Sequence, residues 1–191
     1  MRRAFKEWAV IVDALGRGDQ ILILRKGGIA EGGGGFRVEH TEFLLFPTLF
    51  HQQRESVLES GRERFDEVLP LYHDPTTVRI EFLARVAAGR RLEYLGDAER
   101  LRGQHIWRDD VIARRFDWGS DKSIYAMAVR VFRLPLPVII PASPAYGGCK
   151  SWVELESDLD LDGMLPVLPD AGFDAKLRAF ETALSAEEAE A

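Results

Sequence analysis

Between Lys26 and His51 the chain gathers one ammonium, two adjacent glycines, two imidazoles and three carboxylates. Lys26 closes the apolar run ILILRK, and Gly27 and Gly28 follow it. Glycines let a backbone turn sharply and approach a ligand closely. Successive N–H groups beside one cation can cradle a phosphate. The plain alternative is a turn whose lysine points to water. His40 and Glu42, with His51 farther on, are donors of the type that hold zinc, manganese or magnesium. An ion held there would activate water and stabilise charge on a phosphoester, so the chemistry implied is metal-assisted hydrolysis. Without a metal, His40 and Glu42 would form an oriented general base or a structural hydrogen bond. On a regular strand these two share a face and Glu39 points away.

The second half supplies further cations. Arg130 stands on the apolar face of Ile124, Ala126, Ala128, Phe132 and Leu134, so it is expected to be partly buried and to need an anionic partner. That partner is either an internal carboxylate or a bound anion. With Lys150 it would complete an anion site begun by Lys26, Gly27 and Gly28. Arg102, His105, Trp107, Arg114, Arg115, Trp118 and Trp152 interleave aromatic and basic groups, a composition that can stack bases or simply pack a core. Cys149, the only cysteine, has no accompanying Cys-His-Asn order, so no nucleophilic thiol is assigned. The P-loop GxxxxGK[ST], the dinucleotide GxGxxG and the zinc HExxH patterns are all absent. Of the Nudix helix pattern, HQQRESVLESGRER retains only Arg54-Glu55.

These residues need elements to position them. Phe5, Trp8, Val12 and Leu15 share one helical face, which predicts a helix over Ala4–Leu15 stopped near Gly16; the run Val10-Ile11-Val12 would also suit half of a hairpin. Gln20–Lys26 reads as a short buried strand. Phe36–Pro47 reads as a second strand bent near His40, and Gln52–Leu69 as a helix ended by Pro70. Thr77–Val86 alternates as a half-exposed strand. Asp97–Gly103 and Asp109–Phe116 read as short helices, and Ser123–Leu134 as a strand. The segment LPLPVIIPASP is too rich in proline for a central strand. A last strand in YGGCKSWVEL and a surface helix over Asp174–Leu184 complete the pattern. Interspersed strands and helices predict an α+β or α/β fold, a mixed sheet with flanking helices in one compact domain.

The chain has 191 residues and 46% hydrophobic content, enough for a sizeable core. Residues 1–156 are expected to form the globular domain, with a subdivision near 73–77 the only candidate boundary. Residues 157–191 form an acidic C-terminal segment ending in a helix. The net charge of -6 is uneven. Residues 1–150 hold 23 basic and 20 acidic side chains, residues 151–191 only 2 basic and 11 acidic. This balance argues against avid nonspecific binding to nucleic acid. No run is long and apolar enough to span a bilayer, and MRRAFKEW lacks a signal-peptide core. A cytoplasmic location is therefore expected.

The blocks FKEWAVIVDAL, ILRKGGI, VEHTEFLLFPTLFHQ, HIWRDDVIARRF and YGGCKSWVEL resemble an uncharacterised bacterial family, the domain of unknown function numbered 1802. The resemblance runs from about Ala4 to Leu155 and leaves the acidic C-terminus outside. It implies a single soluble bacterial domain and carries no activity, cofactor or substrate with it. From the residues alone, the expected function is binding or hydrolysis of a phosphate-bearing ligand, a nucleotide or nucleic acid, aided by a divalent metal. The alternative is a non-catalytic nucleic-acid or protein adaptor built on the second half, and a third is a structural partner in an assembly.

Overall fold

The N-terminal segment divides between the two readings its sequence allows. In the computed structural model, which describes residues 1–26, 40–49 and 53–185, Arg3–Trp8 is a strand, β1, and Ala9–Arg17 is a helix, α1. The spacing of Phe5 and Trp8 fits a helix equally well. Pairing on both sides decides for strand, with backbone partners that a helix would forgo. β1 runs parallel to β3 (Glu42–Thr48) and antiparallel to β6 (Trp152–Glu154). Trp8 keeps an extended backbone and α1 starts at the next residue without a linker. The helix does not stop at Gly16. It runs on to Gly18, whose φ of 74° makes it the left-handed cap. Gly16 serves packing instead, because a Cβ there would lie 2.2 Å from Cζ of Phe82.

The remaining elements are β2 (Leu22–Arg25), α2 (Glu59–Tyr72), β4 (Thr77–Leu92), α3 (Leu95–Glu99), α4 (Asp109–Asp117), β5 (Ile124–Pro141), β7 (Leu165–Pro166) and α5 (Asp170–Ser185). The strands form one curled, mixed sheet in the order β2-β5-β4-β3-β1-β6, with β7 added to β5. The architecture is α+β in a single compact domain. The turn at 73–77 is no boundary, since β4 pairs with both β3 and β5. The long pair of β4 and β5 carries the proline-rich segment. LPLP spans an irregularity in which Ile80 pairs with Val138 and Phe82 with Arg133. Pro135 and Pro137 thus fall where the ladder is interrupted, a position that does not need their missing N–H groups.

Strand alternation sends side chains to two cores. Phe5, Phe43, Leu45, Phe82 and Ala84 join α1, α2, α4 and α5 on one side. Ala4, Leu44, Phe46, Ile80 and Leu83 join Tyr146, Val153, Leu155 and Leu159 on the other. The C-terminal segment is part of this packing. Phe173, Phe180 and Leu184 of α5 are buried in the first core, and Leu155 and Leu159 in the second. α5 is therefore a structural helix rather than a detachable surface one.

Candidate functional site

At the end of β1 the alternation that buries Phe5 also buries Glu7, which is fully inaccessible. One carboxylate oxygen, Oε1, accepts a hydrogen bond from the Trp8 N–H at 2.8 Å. The other, Oε2, is buried with no hydrogen-bond partner among the described residues, and no ion pair involving Glu7 is formed among them. Removing a carboxylate from water costs several kcal/mol, on the order of 20 before relaxation, so an oxygen left bare calls for a compensating group.

Two guanidinium groups lie close by. Arg25, the last residue of β2, places its Cζ 5.4 Å from the centre of the Phe5 ring and donates through Nε and Nη2 to Ser151 Oγ at 3.3 and 3.2 Å. Arg115 of α4 lies over Trp8 and Trp107, 4.6 and 5.3 Å from the ring centres, and donates from Nη1 to the Leu24 carbonyl at 2.9 Å. Burial lowers the pKa of Arg115 to about 10, Glu7 opposing that shift and Arg25 adding to it. Arg115 stays charged at neutral pH. Arg115 Nε and Nη2 and Arg25 Nη1 have no acceptor among the described residues. These donors face the field of a single carboxylate, leaving a local excess of positive charge.

Lys6, the residue preceding Glu7, points to the opposite face of β1. Its ammonium donates to the carbonyls of Tyr146 and Gly148, both at 2.8 Å. Burial lowers its pKa, and Arg25 and then Lys150 push the same way. Lys150 itself is exposed and has no ion pair or hydrogen bond among the described residues. An aromatic wall completes the surroundings. Trp152 packs edge-on against Phe5, Phe43 and His40 at 4.9, 5.0 and 5.0 Å between ring centres.

Of the residues singled out from the sequence, Lys150 precedes Ser151, the partner of Arg25, whereas His40 packs on Trp152 ahead of β3, whose register sets Glu7 level with Pro47, and three others have partners elsewhere. Lys26 points away from Arg25, its strand neighbour. It donates to the carbonyls of Phe116 at 3.0 Å and Ser123 at 2.9 Å, and to that of Asp121. It holds the α4–β5 turn together, and burial lowers its pKa against the pull of Asp121. Glu42 is engaged by Arg85, its cross-strand partner on β4. Arg130 meets Asp170 at the start of α5 and lies over Phe173, 5.3 Å from the ring centre. The internal-carboxylate alternative for Arg130 is the one realised, although its Nε remains buried and unpartnered. Lys26, His40 and Glu42 thus have separate sets of partners and do not converge. Gly27, Gly28, Glu39 and His51 lie outside the described residues. Among those described, no three His, Cys, Asp or Glu side chains are grouped as a metal ion would require.

Glu7, Arg25 and Arg115 were not legible as a group. Reading Ala4–Leu15 as a helix turns Glu7 toward solvent. Reading the same residues as a strand puts it beside Phe5, and that alternation was the available signal.

No helix among the described residues is long and apolar enough to cross a membrane. No curated protein and no solved structure matches the chain. A family model does match, and it runs past Leu155 to residue 179, taking in much of α5. The chain belongs to the family described as a domain of unknown function, DUF1802.

Proposed function

We propose that this protein binds a phosphate-bearing small molecule, a nucleotide being the fitting class, at the end of β1 rather than at Lys26. The observation that carries this reading is the bare Oε2 of fully buried Glu7 beside two arginines with donors to spare. A guanidinium makes paired, charge-assisted hydrogen bonds to phosphate oxygens, and Arg25 and Arg115 supply two such groups. Glu7 would accept from a hydroxyl or amine on the same ligand, which favours a phosphate ester over inorganic phosphate. Lys150 and Trp152 extend the cationic and aromatic surroundings. If the ligand is hydrolysed, Glu7 is the group here able to take a proton from water.

Isothermal titration with pyrophosphate and with nucleoside mono-, di- and triphosphates tests this reading, comparing wild type with Arg25→Met and Arg115→Lys. Saturable binding, weakened at least tenfold in both variants, is the expected result. Absence of binding to any phosphate compound, or equal binding by the variants, overturns it.

The second reading, a protein adaptor, is favoured by one observation. Leu136 and Ile139 of β5 and Leu165 of β7 are 75, 53 and 69% exposed, apolar side chains that a partner protein would cover. A nucleic-acid adaptor has less support, since Arg102, Arg108 and Arg114 are held by Asp109 and Asp110 rather than presented to solvent unpaired.

A further inference from the structure

The free edge of β5 beyond β7 is closed to strand pairing. Ala142 donates its N–H to the Thr76 carbonyl at 2.8 Å, so residues 76 and 142 are a hydrogen-bonded pair that sets the phase of the ladder with β4. By alternation Ile140 and Val138 also turn their backbone groups to β4, and Pro137, Ile139 and Pro141 turn theirs away. Two of these three have no N–H, and on that side β7 covers only Phe132 and Arg133. A strand added here, from another protein or from a second copy, would find one donor, the Ile139 N–H.

The same end of the sheet nevertheless leaves apolar side chains bare. Leu136 and Leu165 are the most exposed large apolar side chains among the described residues, and they belong to one region. Leu136 follows Pro135, whose Cγ would lie 3.2 Å from a Cβ at Gly163, and Leu165 is two residues beyond that glycine. The turn leading into Gly163 carries Asp160 and Asp162, both exposed. Asp162 donates its N–H to Asp160 Oδ1 at 3.0 Å, and neither carboxylate has an ion pair among the described residues. No basic residue occurs between Lys150 and Lys176. Arg133, the cross-strand neighbour of Leu165, is turned to the Gly16 carbonyl and Glu81 instead.

We infer that this end of the sheet docks a cationic, apolar segment of another protein, one that sets lysine or arginine beside leucine-like side chains. Contact would take Leu136 and Leu165 out of water, and each aspartate would gain the ion pair it lacks. An acidic or uncharged apolar segment would cover the leucines while leaving both carboxylates uncompensated, and this fixes the sign of the partner. The prolines exclude edge-to-edge pairing, so side chains carry the contact. The inference rests on the adaptor reading and is independent of the phosphate site.

The test is fluorescence anisotropy of the full chain with three labelled amphipathic peptides, built of leucine and lysine, leucine and glutamate, and serine and lysine. Saturable binding of the leucine–lysine peptide alone is expected. Leu136→Ser with Leu165→Ser should weaken it at least tenfold, and Asp160→Asn with Asp162→Asn at least fivefold. Glu59→Gln with Glu63→Gln removes the same charge from the exposed face of α2 and should leave affinity within twofold. All six side chains are exposed, so the variants are expected to fold. Binding of the leucine–glutamate peptide at the two leucines would overturn this inference and leave the adaptor reading standing. Binding of no peptide would overturn both, and an equal loss in the α2 variant would reduce the effect to net charge and overturn the inference. Self-association of wild type in sedimentation velocity, abolished by the leucine substitutions, would assign the surface to a second copy and overturn it as well.

Discussion

Arg25 reaches from the end of β2 to Ser151, the residue before β6, with two hydrogen bonds to one hydroxyl. β2 and β6 are opposite ends of the sheet order, so this contact ties together edges that the strand ladder leaves apart. The Phe5 ring, over which the Arg25 guanidinium lies at 5.4 Å, holds that group independently of Ser151. Ser151→Ala should therefore loosen the curl while leaving the guanidinium in place. We expect a loss of about 1 kcal/mol, the lower range for hydrogen bonds at these lengths, measured by urea denaturation. Phosphate-ligand affinity should change by less than threefold.

Glu7→Gln removes the buried charge and keeps an oxygen to accept from Trp8 N–H. The variant should fold. With the carboxylate gone, two arginines face the site unopposed, and pyrophosphate should bind severalfold more tightly. The preference for a nucleotide over pyrophosphate should shrink, because the anionic acceptor for the ligand's own donors is lost. Paired calorimetric titrations measure both quantities.

His105 gives a pH signature. Burial, the leading cause, lowers its pKa to about 4, with Asp109 opposing the shift and Arg115 and Arg102 adding to it. In the unfolded chain the imidazole titrates near its usual value of about 6.5. As pH falls below that value the unfolded state takes up a proton that the native state refuses, so stability is lost. The loss ends once pH has passed through the folded pKa. Across this window, from about 6.5 down to about 4, the difference amounts to roughly 3 kcal/mol. Denaturation midpoints measured across it should fall for wild type and fall less for His105→Phe.

Gly16→Ala should be costly although alanine suits helices. The new methyl would meet the Phe82 ring at 2.2 to 2.6 Å, and both residues sit in the tightly packed face between α1 and the sheet. A loss of about 1–3 kcal/mol is expected from overpacking. Phe82→Leu should recover part of it in the double variant, read as a non-additive denaturation cycle.

Most strands were legible from alternation or apolar runs. β2, β4 and β5 each show one or the other; β4 places Phe82 and Ala84 in one core as its pattern demands, while the irregularity between Ile80 and Phe82 sends Ile80 to the opposite core. β1 was not legible because its partners, β3 and β6, come from distant parts of the chain, and a six-residue strand followed at once by a helix mimics one longer helix. α5 was read as a surface element because acidic residues dominate the surrounding sequence. Phe173, Phe180 and Leu184, spaced at seven and four residues, form its buried stripe all the same.

The site divides along the same line. His40 and Lys150 were visible as chemically capable groups, but neither is hydrogen-bonded to or paired with the orphaned carboxylate among the described residues. Lys26 and Glu42 looked equally capable, but what a side chain does depends on the acceptors or cations opposite it. For Lys26 these are three carbonyls of one turn, and for Glu42 the cross-strand Arg85. Neither partnership leaves a local trace in the sequence.

The most direct test of the phosphate site is the Nε–H resonance of Arg115 in a nitrogen–proton NMR spectrum, followed during addition of a nucleotide. Arg115 Nε has no acceptor among the described residues, so a phosphate bound there should move its proton signal downfield in a saturable manner. The Nε–H signal of Arg54, held by Asp66 at 2.9 Å, should stay still. A bound nucleotide that leaves the Arg115 signal unmoved, or no saturable change with any nucleotide, would contradict the assignment.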